Sequence, residues 1–262
     1  MDDLKRYEEL VKTIEYHNDR YYNQDDPEIS DYEYDMMMKE LKKIEKDHPE
    51  FVTPNSPTQH VGGSAKREAG VLVRHRVPML SLQDVFSKEE VQEFVESMQE
   101  TLVDPVFVVE YKIDGLSMAL RYENGLLTTA ITRGDGIIQG EDVTVNAKVI
   151  KDVKNKLKEP IEYLEVRGEV YMTNEAFDKV NEIQELNNKK AFANPRNCAA
   201  GTLRQLDSRI TKQRNLSMFI FNIQDIRGKE ITSHSQGYEY LKIQGMKVID
   251  NYQVCHNFEE VW

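Results

Sequence analysis

Val106-Phe107-Val108-Val109-Glu110-Tyr111-Lys112-Ile113-Asp114-Gly115 is the stretch that decides how this chain reads. The apolar, β-branched run predicts a strand, which delivers a single lysine and is followed by an Asp-Gly pair. Residues 116–122 read as a second strand, so the pattern is hairpin-like. A lysine at the end of a buried strand loses hydration, and burial favours its neutral amine. An ordinary lysine, with a pKa near 10.4, is neutral in only about one molecule in a thousand at neutral pH. A site that needs an amine nucleophile gains from such a position, with Glu110 and Asp114 beside it to orient the amine and handle protons. The competing reading is a hairpin whose lysine snorkels to solvent beside its turn, and Lys-x-Asp-Gly is too short to choose between them.

Outward from this stretch, strands are predicted at 106–112, 116–122, 126–132, 164–171 and 217–223. Helices are predicted at 87–100, 141–150, 173–188 and 234–243. Asn124-Gly125 between two strand runs is a strong hairpin signal. Consecutive hairpins favour an antiparallel sheet and an α+β fold over a doubly wound parallel one. Toward the N-terminus the pattern is purely helical. Leu4, Tyr7, Leu10, Val11, Ile14 and Tyr21 recur at helical spacing, and Asp25-Asp26-Pro27-Glu28-Ile29 breaks the run. Ser30 and Glu33 form a Ser-x-x-Glu capping box ahead of Tyr34, Met37, Met38, Leu41 and Ile44. The region 1–64 is therefore expected to be a small helical hairpin with a linker (Pro54, Pro57, Gly62, Gly63), and 65–262 a separate mixed domain.

Three further segments carry chemistry. Thr132-Arg133-Gly134-Asp135-Gly136 ends a strand in a glycine-rich loop, where the backbone can approach a ligand and Arg133 can grip a ribose or phosphate oxygen. In Glu165-Val166-Arg167-Gly168-Glu169, alternation puts Glu165, Arg167 and Glu169 on one face. Glu169 reads either as a ligand contact or as a cross-strand ion-pair partner. Around Asn194-Pro195-Arg196-Asn197, small residues permit tight packing, and Arg196 and Arg204 offer an anion patch or ordinary ion pairs.

Composition sets outer limits. The chain has 262 residues, 39% hydrophobic and 31% charged, with a net charge of −12. No apolar run approaches bilayer-spanning length, and Met1-Asp2-Asp3-Leu4-Lys5-Arg6 lacks a signal-peptide core. Cys198 and Cys255 support neither a disulfide framework nor a zinc site, so a reduced, cytoplasmic compartment is expected and no metal ligand set is read.

Taken together, the motifs resemble the NAD-dependent DNA ligases of bacteria. The likeness runs through Asp31-Tyr32-Glu33-Tyr34-Asp35, His48-Pro49-Glu50, Asn55-Ser56-Pro57-Thr58, Val77-Pro78-Met79-Leu80-Ser81-Leu82, Glu110 to Gly115, Thr132 to Gly136, Glu165 to Glu169 and Phe192 to Asn197, in family order. The resemblance implies an antiparallel, ATP-grasp-like nucleotidyltransferase domain preceded by the helical hairpin. It implies Lys112 as the nucleophile that takes AMP from NAD, releasing nicotinamide mononucleotide, with Asp114 orienting it. By position, Glu110 would accept from the adenine amine, Ser81 and Leu82 would lie along the adenosine, Arg133 and Glu169 would hold the ribose, and Phe221 would stack on the base. Tyr22, Asp31, Tyr34 and Asp35, with Tyr32 and Glu33 in the same segment, would engage the mononucleotide half. The rival reading makes Tyr34 helix core and Phe221 sheet core.

The resemblance also implies magnesium or manganese as an accessory ion, nicked duplex DNA as partner, action as a monomer in the bacterial cytoplasm, and roles in replication and repair. The negative charge opposes a phosphate-gripping surface, so DNA contact would need a local basic patch or parts of a longer protein. Two later lysine motifs of the family are missing, as are its zinc-finger, oligonucleotide-binding and helix-hairpin-helix parts. The loop Gly136–Gly140 looks one residue longer than the family's commonest pattern. A truncated adenylation region that self-adenylates poorly is therefore expected. The alternative from another class is a non-catalytic module that binds NAD or DNA ends.

Overall fold

The computed structural model describes residues 3–23, 27–53, 56–59 and 70–262, without the side chains of residues 22 and 23. Asp25, Asp26, Pro54, Gly62, Gly63 and the expected boundary near residue 65 lie outside the described residues. Helix α1 (Asp3–Asn18) passes into a π-helical turn (Asp19–Asn23), and α2 (Asp31–Asp47) returns alongside it. The capping box forms as expected: Ser30 Oγ accepts from the Glu33 amide, and Glu33 accepts from the Ser30 amide at 2.8 Å. Tyr7, Leu10 and Ile14 close on Leu41, with Tyr34, Met37, Ile44 and Phe51 packed around them. Arg6 forks onto Glu40 at 2.7 and 2.8 Å across the outside of this small core.

Beyond the hairpin come β1 (Leu72–Arg74), α3 (Lys88–Thr101), β2 (Phe107–Glu110), β3 (Leu116–Glu123), β4 (Leu126–Thr132) and β5 (Gln139–Glu141). The short α4 (Thr144–Ala147) leads to β6 (Tyr163–Tyr171), α5 (Asn174–Leu186), α6 (Pro195–Leu203) and α7 (Ser208–Gln213). Then follow β7 (Ser217–Arg227), α8 (His234–Ile243), β8 (Tyr252–Cys255) and α9 (Phe258–Val261). A four-stranded antiparallel sheet in the order β4-β3-β6-β7 carries the main core, and β1-β5 and β2-β8 form two smaller antiparallel pairs. The α+β, antiparallel expectation holds.

One expectation is corrected. The strands on either side of Asp114-Gly115 do not pair with each other: β2 pairs with β8, while β3 lies in the four-stranded sheet. Gly115 is there because of close approach rather than a hairpin turn. A Cβ on it would lie 2.1 Å from the Val170 carbonyl oxygen of β6. The true hairpin is β3–β4, where Asn124 (φ 50°) and Gly125 (φ 77°) take the two left-handed positions of a type I′ turn.

The sheet's two faces differ sharply. Met118, Leu120 and Tyr122 of β3 and Leu164, Val166 and Val170 of β6 are buried against the helices. The opposite face pairs Ser117 with Glu169, Ala119 with Arg167 and Arg121 with Glu165. Arg121 donates to Glu165 at 2.8 Å, with the two side chains 6% and 0% exposed. The alternation read in the sequence therefore stands, and the polar face becomes the floor of a cavity.

Candidate active site

A cavity of about 550 Å³ opens over that polar face, within the range of a small-molecule or cofactor site. Its floor is Ser117, Arg133, Arg167 and Glu169. Ser117 Oγ donates to Glu169 at 2.7 Å, and Arg167 donates to Ser117 Oγ at 3.2 Å and to the Leu80 carbonyl at 2.7 Å. Burial raises the Glu169 carboxyl above the ordinary range, against the opposing pull of Ser117 and Lys112. Burial lowers Arg167, with Arg133 adding to the effect. Arg133 reaches Ser81 Oγ at 3.2 Å, so the 80–82 segment is tied down onto the floor. A bulge sets Phe221. Gly168 pairs with Ile220 and Arg167 with Asn222, leaving Phe221 as the extra residue of β7. Its ring lines the cavity, 5.5 Å from the Arg167 guanidinium, whereas Met218 and Ile220 are core.

Lys112, Asp114 and Glu110 form one wall. Here a second expectation is corrected: Lys112 is exposed at the cavity edge rather than buried, because it follows the end of β2 in the open link between two sheets. It lines the same cavity as the acids and arginines named from the sequence. Loss of hydration in the wall raises the Asp114 carboxyl, with Asp31 adding and Lys112 opposing. Arg196 donates to the Gly115 carbonyl at 2.7 Å, lies 3.7 Å from Asp114 and sits 4.1 Å over the Tyr21 ring. Burial brings Arg196 down to about 10, with Arg204 contributing. Arg204 pairs with Glu141 at 2.9 Å. Both arginines face the cavity, their side chains only 22% and 18% exposed, so they offer little to an open duplex surface.

The helical hairpin closes the far side through Asp31, Tyr34 and Asp35. Tyr34 serves two roles, packing on the hairpin core and donating to Asn18 at 2.7 Å while lining the cavity. Burial raises Asp35, and Asp84 and Asp31 push it the same way against Lys112. Tyr32 and Glu33 are not brought in. Tyr32 is 68% exposed, and Glu33 is occupied by the capping box, which holds its carboxyl low. The Tyr22 side chain lies outside the described residues. His17, Asn18 and Tyr21 line the cavity without having been named as site residues from the sequence. Their only forewarning was the helical stripe ending at Tyr21. Arg167 was placed on the right face by alternation but not counted as a site residue.

A dinucleotide fits these walls chemically. Two cavity-lining nitrogens, His17 Nδ1 and Arg167 Nε, are buried with no partner among the described residues, as polar groups awaiting a ligand would be. The loop after Arg133 is stiffened by Asp135, which accepts from the amides of Ile137, Ile138 and Gln139. Gly134 and Gly136 supply its left-handed positions. Among the described residues no three His, Cys, Asp or Glu side chains stand together as a metal cage, and no helix is long and apolar enough to cross a membrane.

A family model described as NAD-dependent DNA ligase adenylation domain matches residues 70–262, and one described as DNA ligase-like, N-terminal NAD+-binding domain matches residues 1–62. The chain is 55% identical over 262 residues to a DNA ligase of Clostridium kluyveri, covering all of this chain and 39% of that protein. It is 52% identical over 260 residues to a DNA ligase of Caldicellulosiruptor saccharolyticus, covering 98% and 38%. To a DNA ligase of Clostridioides difficile it is 47% identical over 253 residues, covering 96% and 37%. The chain thus spans under two-fifths of the length of these curated relatives.

Proposed function

Because the chain belongs to the NAD-dependent DNA ligase adenylation family, we propose that it carries out the lysine adenylation of that reaction. Lys112 Nζ loses a proton and attacks the α-phosphorus of NAD in line with the pyrophosphate bond. The N–P bond forms, the P–O bond to nicotinamide mononucleotide breaks, and Lys112 carries AMP as a phosphoramidate. The observation that carries this reading is the gathering of Lys112, Glu110, Arg133, Glu169 and the hairpin acids around one cavity. A binding module has no use for the nucleophile.

The roles follow from position. Glu110 accepts the adenine amine, Phe221 stacks on the base, and Glu169 and Arg133 take the ribose. Ser81 and Leu82 flank the adenosine. Asp31, Tyr34 and Asp35 take the mononucleotide half. Asp114 orients Lys112 and receives or relays its proton, for which a raised carboxyl suits it. Arg196 and Arg204 stabilise phosphate charge inside the cavity. Magnesium or manganese enters with the nucleotide. Such an ion would keep most of its water and would need only one or two carboxylates beside phosphate oxygens, which Asp114 in the cavity wall could supply.

In the proposed scheme residues 1–64 form the mononucleotide-binding unit and 65–262 the adenylation unit. Transfer of AMP to a nicked duplex, in the cytoplasm and by a monomer, belongs to the same proposal and draws on parts found in the longer relatives. The test is intact-mass analysis after prolonged incubation with millimolar NAD and magnesium. A slow gain of one AMP on Lys112 is expected, absent with ATP and absent in Lys112→Ala. Equal labelling by ATP, or tight NAD binding with no label at Lys112, would overturn the reading.

A further inference from the structure

Glu110 and Phe221, the two groups assigned to the adenine, sit on different sheets. Glu110 ends β2 in the two-stranded pair with β8, and Phe221 is the bulged residue of β7 in the four-stranded sheet. Among the described residues no continuous ladder joins the two sheets; the single bridge of Ile220 to Val248 ties β7 to the segment before β8, and a side chain ties Glu110 itself. Helix α8 fills the seam. The Tyr238 hydroxyl lies 2.6 Å from Glu110 Oε2 and 3.1 Å from the Phe221 carbonyl oxygen. Its single proton goes to the closer, charged oxygen, and the carbonyl is a weaker shared acceptor. The residue is 1% exposed, and its ring packs 5.2 Å from Tyr252, the register partner of Glu110 on β8. His234 Nε2 lies 3.3 Å from the same Oε2, its ring 4.5 Å from that of Tyr238. Both contacts fall on Oε2, which leaves Oε1 for the cavity that Glu110 lines.

We infer that Tyr238, backed by His234, is a positioning residue that fixes Glu110 as acceptor for an exocyclic amine and thereby sets the purine specificity of the site. This rests on the adenylation reading above. A 6-aminopurine donates to the fixed carboxylate. A 6-oxopurine presents a carbonyl oxygen to it, and acceptor faces acceptor with both desolvated. Freed from its tether, Glu110 can turn away from the carbonyl, so binding of the aminopurine weakens and the penalty on the oxopurine falls together.

The experiment titrates the 262-residue chain calorimetrically with NAD and with nicotinamide hypoxanthine dinucleotide. The parent is expected to prefer NAD. Tyr238→Phe keeps the ring and its packing but removes the hydroxyl, and is expected to cut the preference about tenfold, the scale of one hydrogen bond to a charged group. Tyr240→Phe on the same helix, which removes a hydroxyl that accepts from Gln244, is expected to leave the ratio unchanged. A folded Tyr238→Phe that keeps the parental ratio overturns the inference while adenylation of Lys112 still stands. Equal binding of both dinucleotides by the parent also overturns it. A parent that binds neither, and never gains AMP, removes the adenylation reading itself. Should Tyr238→Phe fail to fold, His234→Phe at the partly exposed end of the pair reads the same ratio. A smaller drop is expected there, and no drop overturns the inference.

Discussion

Replacing Gly115 by alanine tests whether Lys112 is held by close approach of the backbone to β6. The added Cβ would lie 2.1 Å from the Val170 carbonyl oxygen and 3.2 Å from Glu169 Cγ. An ordinary carbon–oxygen contact is about 3.3 Å, so a gap of over an ångström has to open against backbone, which cannot rotate aside. Overpacking of this kind costs about 1–3 kcal/mol. The shift also strains the 2.7 Å bond from Arg196 to the Gly115 carbonyl, a charged hydrogen bond of about 1.5–3 kcal/mol. Against these, alanine reduces the freedom of the unfolded chain, a gain of about 0.4–1 kcal/mol.

The expected net loss is about 3 kcal/mol, which for a unit of this size lowers the melting temperature by about 6–12 °C. NAD affinity is expected to fall as well, since Asp114 and Lys112 move with the displaced link. Gly237→Ala in α8 is the control. Its Cβ meets only side-chain atoms, Ile223 Cδ1 at 3.3 Å and Ile231 Cγ2 at 3.7 Å, and helix propensity favours alanine by about 1 kcal/mol, so its melting point should stay near the parent's. Thermal melts and NAD titrations of both variants decide the matter. A Gly115→Ala chain that melts within about 2 °C of the parent and binds NAD normally would refute the account of the glycine.

Three further outcomes are expected. Arg121→Met leaves the buried Glu165 carboxylate without its cation and should cost about 3–5 kcal/mol in urea unfolding, with much of the loss recovered in the Arg121→Met, Glu165→Leu double variant. Ser30→Ala removes one half of the capping box and should destabilise α2 by about 1 kcal/mol, read as earlier loss of helical circular dichroism on heating. Glu169→Gln should weaken NAD binding yet raise stability at neutral pH. A carboxyl raised by burial binds protons that the unfolded chain has released, so the parent loses stability as pH climbs above the ordinary glutamate range. The advantage of Glu169→Gln should therefore shrink as pH falls into that range, and a pH-independent difference in melting point would contradict this.

What the sequence discloses, and what it does not, follows from how local each signal is. The β3–β4 hairpin was legible because Asn124-Gly125 encodes its own turn, and the polar face of β6 because alternation is a property of adjacent residues. The pairing of β2 was not legible. Its partner lies some 145 residues away in Tyr252–Cys255, four residues with no strong strand signal. The strand Gln139–Glu141 was missed for a related reason. Its central Gly140 reads as loop, yet a Cβ there would lie 1.8 Å from the Thr132 carbonyl, so the glycine is what permits the approach. Helix α6 is not among the helices expected from the sequence, although Asn194 caps it and Pro195 opens it. Among the residues that line the cavity, those inside short motifs (Glu110, Lys112, Arg133, Glu169) were legible. Tyr238 was not, because its contacts to Glu110 and to the Phe221 carbonyl exist only where two sheets meet.

The charge layout of the cavity has a consequence for which dinucleotide binds. The arginines Arg133, Arg167, Arg196 and Arg204 line the cavity with Lys112, while Asp31, Asp35 and Asp84 crowd the hairpin side. Burial raises Asp35, and Asp84 and Asp31 add to the shift, so like charges on this side are held together at a cost. With adenosine at Glu110 and Phe221, and the pyrophosphate among the arginines, the nicotinamide ring falls toward these acids. In NAD that ring is a cation, and in NADH it is neutral. A cation near 4 Å from an exposed carboxylate gains about 1 kcal/mol, so two such acids favour NAD over NADH by about 2 kcal/mol, or about thirtyfold. Titration of the chain with both forms at low ionic strength measures the ratio. Asp35→Asn should reduce it severalfold, and added salt should reduce it further, since the outer part of the interaction is screened. Equal affinities for NAD and NADH at low salt would show that the hairpin acids do not face the ring, and that the orientation assigned to the dinucleotide is wrong.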